Sequence, residues 1–124
     1  MKAFLPLLAL LGILQVDASA KRLAPAKVDP VETPEAVISV PHFPNGDRKQ
    51  NGGVLEAHHP ESGELLWRVQ VYKTTYQPTL EKDVQDVFIK SLTFDAHHGL
   101  LILSDEKERI FVLNLENRKV TRVE

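Results

Sequence analysis

With no cysteine in the chain, the histidines are the first candidates for site chemistry, and four of the five stand in adjacent pairs, His58-His59 and His97-His98. Neighbouring residues of a strand point to opposite faces, so each pair offers one ligand to a given site unless it lies in a turn. Glu56 and His58 share a face, and His97 or His98 can join them if the two segments meet. Two histidines and a carboxylate suit a divalent metal such as zinc. Glu56, His58, His97 and His98 are therefore the candidate metal ligands. The alternative is that they are exposed polar turn residues, because their spacing does not fix convergence and no supporting shell is visible. No other cofactor is expected. Asn45-Gly46-Asp47 has the start of a calcium loop but not its later acidic ligands, and reads as a solvated turn.

Nucleophile chemistry has no motif to carry it. The chain lacks a Gly-x-Ser-x-Gly elbow, a glycine-rich phosphate loop and a His-Glu-x-x-His pair. Glu81, Asp83 and Asp86 can be paired as acid and base, but they fit the solvated face of a short helix more simply. The expectation is a non-enzymatic protein with no catalytic residue assigned.

The histidines and Glu56 must be positioned by strands. After Gly63, residues Leu65, Trp67, Val69 and Val71 alternate with Leu66, Arg68, Gln70 and Tyr72, the period of a strand with one buried face. Before it, Leu55 and Ala57 alternate with Glu56 and His58. Pro60-Glu61-Ser62-Gly63 between them presets φ at the proline and allows positive φ at the glycine, which suits a type I turn closed by a glycine bulge. Val54 to Tyr72 is thus read as a hairpin, with Trp67 buried in the main core.

Ala57-x-x-x-x-Ser62-Gly63-x-x-x-Trp67 resembles the repeat that marks the blades of pyrroloquinoline-quinone-type (quinoprotein-like) β-propellers, Ala-x-Asp-x-x-Thr-Gly-Lys-x-x-Trp. Ala57, Gly63 and Trp67 match and Ser62 is a mild change, whereas His59 takes the aspartate position and Glu64 the lysine position. The resemblance implies that Trp67 docks on a neighbouring blade as a packing residue. Phe111 to Val120 echoes a blade ending, with Asn114 where aspartate is usual and Arg118 where glycine is usual. A closed propeller needs about four blades or more, and the strands foreseen here make at most about one and a half. Either one compact sheet forms or several chains assemble.

The remaining organisation follows from composition. Lys2 precedes an apolar run from Phe4 to Val16, and Ala18-Ser19-Ala20 supplies a small-x-small cleavage site, so residues 1–20 read as a signal peptide. The run is shorter than the ~20 residues of a membrane-spanning helix, so no membrane anchor is expected after cleavage. Export to the periplasm or the exterior is the expected localisation. Cleavage would remove one base, Lys2, and one acid, Asp17, leaving the net charge at −2. No basic excess marks a nucleic-acid binder. With no cysteine, disulfides and thiolate sites are excluded and burial must stabilise the fold. Residues 21–36, with Pro25, Pro30 and Pro34, read as an extended arm, and residues 37–124 as a single β domain.

Within that domain Val37 to Val40 reads as a short edge strand stopped by Pro41, and Lys73 to Gln77 as a prolongation of the second hairpin strand. Thr79 can cap a short helix with Leu80, Val84 and Val87 on one face. Strands then follow near 88–94, 100–103, 110–115 and 120–123, separated by three polar turns. The predicted class is mainly β, an antiparallel, blade-like meander of five to seven strands with one short helix. Pro41 and Pro44 blunt one sheet edge and Lys119 and Arg122 the other. The apolar strands Leu100–Leu103 and Ile110–Leu115 still offer more surface than one short helix covers. The functional expectation is an interaction module that meets a protein partner or itself through sheet edges and nearby Tyr72 and Tyr76. The alternative is a small-ligand or metal-binding domain built on the histidine pairs.

Overall fold

A computed structural model describes residues 24–41 and 50–124. Eight strands are present: β1 (Val31–Glu32), β2 (Val37–Ser39), β3 (Val54–His58), β4 (Leu65–Gln70), β5 (Ile89–Asp95), β6 (Leu100–Asp105), β7 (Ile110–Asn114) and β8 (Val120–Val123). They form two four-stranded sheets, β1-β2-β3-β4 and β5-β6-β7-β8, in which every strand is antiparallel to its neighbour in the chain. The mainly β class holds, as a pair of meanders. The strand beyond the expected seven comes from the proline-rich stretch, where Val31 and Glu32 pair with Ile38 and Val37. Their turn is closed by Thr33, whose hydroxyl donates to the Ala36 carbonyl and accepts from the Ala36 N–H, each at 3.0 Å. That pairing also makes β2 an interior strand, although Pro41 had suggested an edge.

Alternation decides which faces meet. Ile38, Leu55 and Ala57 of the first sheet and Leu101, Leu103, Phe111 and Leu113 of the second are buried in one cluster, with Trp67, Val69, Leu92, Phe94 and Val120 packed around it. Each fully buried Leu or Ile removes enough apolar surface to contribute ~1.5–3 kcal/mol. Lys90 breaks the apolar alternation of β5, and the register slips between Ile89 and Ser91. The bulge lets Ile89, with no exposed surface, point to the core together with Leu92 and Phe94.

The segment joining the sheets differs from expectation. β4 stops at Gln70, and Lys73 to Gln77 is not strand. The helix foreseen after Thr79 is a single 3₁₀ turn, Asp83–Gln85, with no side-chain cap. The competing partner is Gln85, whose side-chain nitrogen donates to the carbonyls of Gln77, Leu80 and Glu81 at 3.1–3.2 Å while its oxygen accepts from the Gln77 N–H. Those carbonyls are thereby satisfied without helical bonds. Leu80 and Val84 remain 53% and 46% exposed and only Val87 is buried, so this segment does not lay an apolar face on the sheet.

Candidate functional site

The turns repeat one design. His59 N–H donates to the Glu64 carbonyl and Gly63 N–H to the His59 carbonyl, while the N–H groups of Glu61 and Ser62 both donate to His59 Nδ1. In the β7–β8 turn Asn114 N–H donates to the Lys119 carbonyl and Arg118 N–H to the Asn114 carbonyl, and the Asn114 Oδ1 accepts from Glu116 and Asn117. Gly63 and Arg118, in corresponding places, have φ of 76° and 61°. His59 Nδ1 thus serves as the side-chain acceptor of its turn, as Asn114 Oδ1 does in the other. Ser62 Oγ accepts from the Glu64 N–H at 3.2 Å.

Of the motif residues, Ala57 is fully buried and pairs across the strands with Trp67. Trp67 is only half-buried, because β4 is the outer strand of its sheet and Leu65 beside it is 43% exposed. It lies at the seam between the sheets, packed against the shared core, with the Arg118 guanidinium of the second sheet 5.5 Å from its ring centre. Placement of Trp67 deep in the main core is corrected to this seam position.

The four proposed metal ligands are placed in two separate settings. Glu56 and His58 share the outer face of the first sheet at 3.9 Å, but the Glu56 carboxylate is engaged by Arg68 at 2.8 Å. His97 and His98 sit in the exposed β5–β6 turn with their rings edge to face, and His98 Nδ1 lies 2.9 Å from Asp95. That hydrogen bond is the main reason the Asp95 carboxyl is held below its usual range. Among the described residues, no three His, Cys, Asp or Glu side chains gather into one group. Asn45, Gly46 and Asp47 lie outside the described residues.

Tyr72 and Tyr76, expected at a partner surface, belong to an internal polar network. Tyr72 is buried, stacked on Phe111 with ring centres 5.3 Å apart, and its hydroxyl donates to the Val87 carbonyl at 2.7 Å. Burial first, then the nearby Asp105 charge, pushes its ionisation far up. Tyr76 is half-buried and donates to Asp86 at 2.6 Å; burial first and this bond second raise its pKa to about 12. Gln50 ties the linker to β3 by donating to the Gly52 and Tyr72 carbonyls and accepting from Thr74. Gly52 and Gly53 adopt φ of 81° and 73°, and a Cβ on Gly52 would stand 2.5 Å from the Val87 carbonyl oxygen. Only glycine fits that approach.

Sequence reasoning missed Asp105 and Arg109. Asp105 is 0% exposed and accepts from the N–H groups of Lys107 and Arg109 at 2.9 Å and from Arg109 Nε at 2.7 Å. The Arg109 guanidinium lies over Tyr72 and Phe111, 4.8 and 5.6 Å from their ring centres. The available signal was an aspartate two residues beyond the apolar run Leu100–Leu103, in a stretch whose polar composition suits a turn.

The two outer faces differ in kind. That of the first sheet carries Glu56, His58 and Arg68. Across the second run Thr93, Ile102, Val112 and Thr121 in one row and Ser91, Ser104, Ile110 and Val123 in the next. Neither row holds a charge, and Ile110 and Val123 are 42% and 48% exposed. Among the described residues no helix is long and apolar enough to cross a membrane. The chain is of the mainly β class, two antiparallel four-stranded sheets sharing one core. Comparison with protein-family models, curated proteins and solved structures finds no match.

Proposed function

We propose that the chain is an exported, non-enzymatic interaction module of two blade-like sheets that works by associating with a protein partner or with itself. The observation that carries this reading is the pair of uncharged rows on the outer face of the second sheet, where Ile102 and Val112 are flanked by the exposed Ile110 and Val123. Exposed aliphatic side chains gathered on one sheet face mark an interaction surface. The blade resemblance gains support from the repeated turn and from the reach of Trp67 across the seam to Arg118. Export rests on residues 1–20, which lie outside the described residues.

Val112→Lys tests the reading at its centre, because a buried lysine at an apolar interface loses its hydration without a partner. Light scattering over a concentration series, with a pull-down from the exported fraction, should detect association of the wild type that Val112→Lys abolishes while its circular dichroism stays unchanged. A wild type that is monomeric throughout and captures nothing overturns the proposal. Export is tested separately by mass spectrometry of the secreted chain, which should begin at Lys21.

A further inference from the structure

The linker and the β6–β7 turn line an open cavity of about 500 Å³, within the size range of small-ligand sites. It is independent of the outer sheet face. Lys73, Lys107 and Arg109 line it, together with Thr74, Asp86 and Glu106. The two acids already accept hydrogen bonds. Asp86 takes the Tyr76 hydroxyl and the Asn51 amide, and Glu106 takes the Phe88 N–H. The cations are in the opposite condition. Neither Lys73 nor Lys107 has an ion-pair partner among the described residues. Arg109 spends Nε on the fully buried Asp105, and no acceptor for its two terminal nitrogens is found among the described residues.

Arg109 is also fixed in place before any ligand arrives. Its Nε bond to Asp105 and its stacking on Tyr72 and Phe111 leave it little rotamer freedom to lose. A planar guanidinium held in this way presents a fork that matches carboxylate or phosphate oxygens. The lysines add two mobile charges at the rim. We propose that this cavity binds a small anionic ligand through a carboxylate or phosphate group, with Arg109 as the fixed contact and Lys73 and Lys107 as the closing ones.

The probes are inorganic phosphate and succinate, each titrated at constant ionic strength into the full mature chain and followed by amide chemical shifts. Saturable shifts should appear at Thr74, Lys107 and Arg109, and the probe with the lower half-saturation identifies phosphate or carboxylate as the preferred group. Reversing two rim charges in Lys73→Glu/Lys107→Glu should weaken half-saturation by roughly tenfold or more, because two attractions to the anion become repulsions. Arg122→Glu, on β8, lies outside the cavity lining. It should leave the response unchanged, which separates a site from a general charge effect. No saturable shift with either probe, an unaltered response in the double variant, or equal loss in Arg122→Glu would each overturn the proposal.

Discussion

At the scale of single residues the turns set the terms. Glu108 and Arg118 both hold left-handed backbone, with φ of 63° and 61°. A side chain there costs ~1–2 kcal/mol, against ~0.5–1 kcal/mol for the extra chain entropy of glycine. Glu108→Gly should therefore raise stability by roughly 0.5–1 kcal/mol, since what it gives up is an exposed pair with Lys90 of small worth. Arg118→Gly should come out near neutral, because it also loses the contact over Trp67, worth ~0.5–1 kcal/mol. His59→Ala removes the acceptor for two N–H groups and should cost about 1 kcal/mol, whereas His59→Asn should keep it. Urea melts of these four variants check the ordering. The Ser62-Gly63 signal was legible because glycine announces positive φ. Arg118 conceals the same geometry behind a residue type that seldom adopts it.

Among the elements, hairpins were legible and their surroundings were not. Alternation and turn residues located β3 to β8 closely. β1 escaped notice because a pair of residues among prolines has no period to read, and the expected helix escaped its own pattern because Gln85 took its carbonyls. The linker is instead organised by its two tyrosines, and pH reports on them. Both are raised above the ordinary value, Tyr76 to about 12 and Tyr72 further. A raised tyrosine pKa adds stability that is fully present below the unfolded value near 10.0 and is lost as pH climbs through the folded one. An absorbance titration should thus show no tyrosinate near pH 10, and ionisation near 12 or above should coincide with unfolding. A normal tyrosine titration would contradict the network. Gly52→Ala should be among the most damaging single changes here, costing roughly 2 kcal/mol or more through strain and the clash with the Val87 carbonyl.

For the whole molecule, the seam between the sheets carries the stability that neither sheet has alone. Trp67→Ala should cost roughly 2–3 kcal/mol, below the ~3–5 kcal/mol of a fully buried aromatic because its ring is partly open. Thermal unfolding of this variant by circular dichroism gives the value. The mainly β class and the presence of hairpins could be read from alternation and spacing, whereas alternation placed Trp67 deeper than the seam it occupies. The candidate sites could not. Whether histidines converge, or whether Arg109 meets Lys73, depends on how two sheets dock, and periodicity within a strand holds no information about that. Tyr72 misled for the same reason: it ends a polar alternation, yet the chain leaves the strand there and turns the ring onto Phe111.

The strand order has a consequence in time as well as in space. All pairings join chain neighbours, so the first sheet can close as soon as Gln70 has been synthesised. Its apolar side, with Leu55 and Val69, shares its core with residues from Val87 to Leu113, so its cover is complete only once Leu113 has been made. At ~5–20 residues per second, ribosomal synthesis leaves that side incompletely covered for roughly 2–9 s. During this interval the nascent chain is a half-finished sandwich, and holding it soluble falls to whatever escorts it from the ribosome.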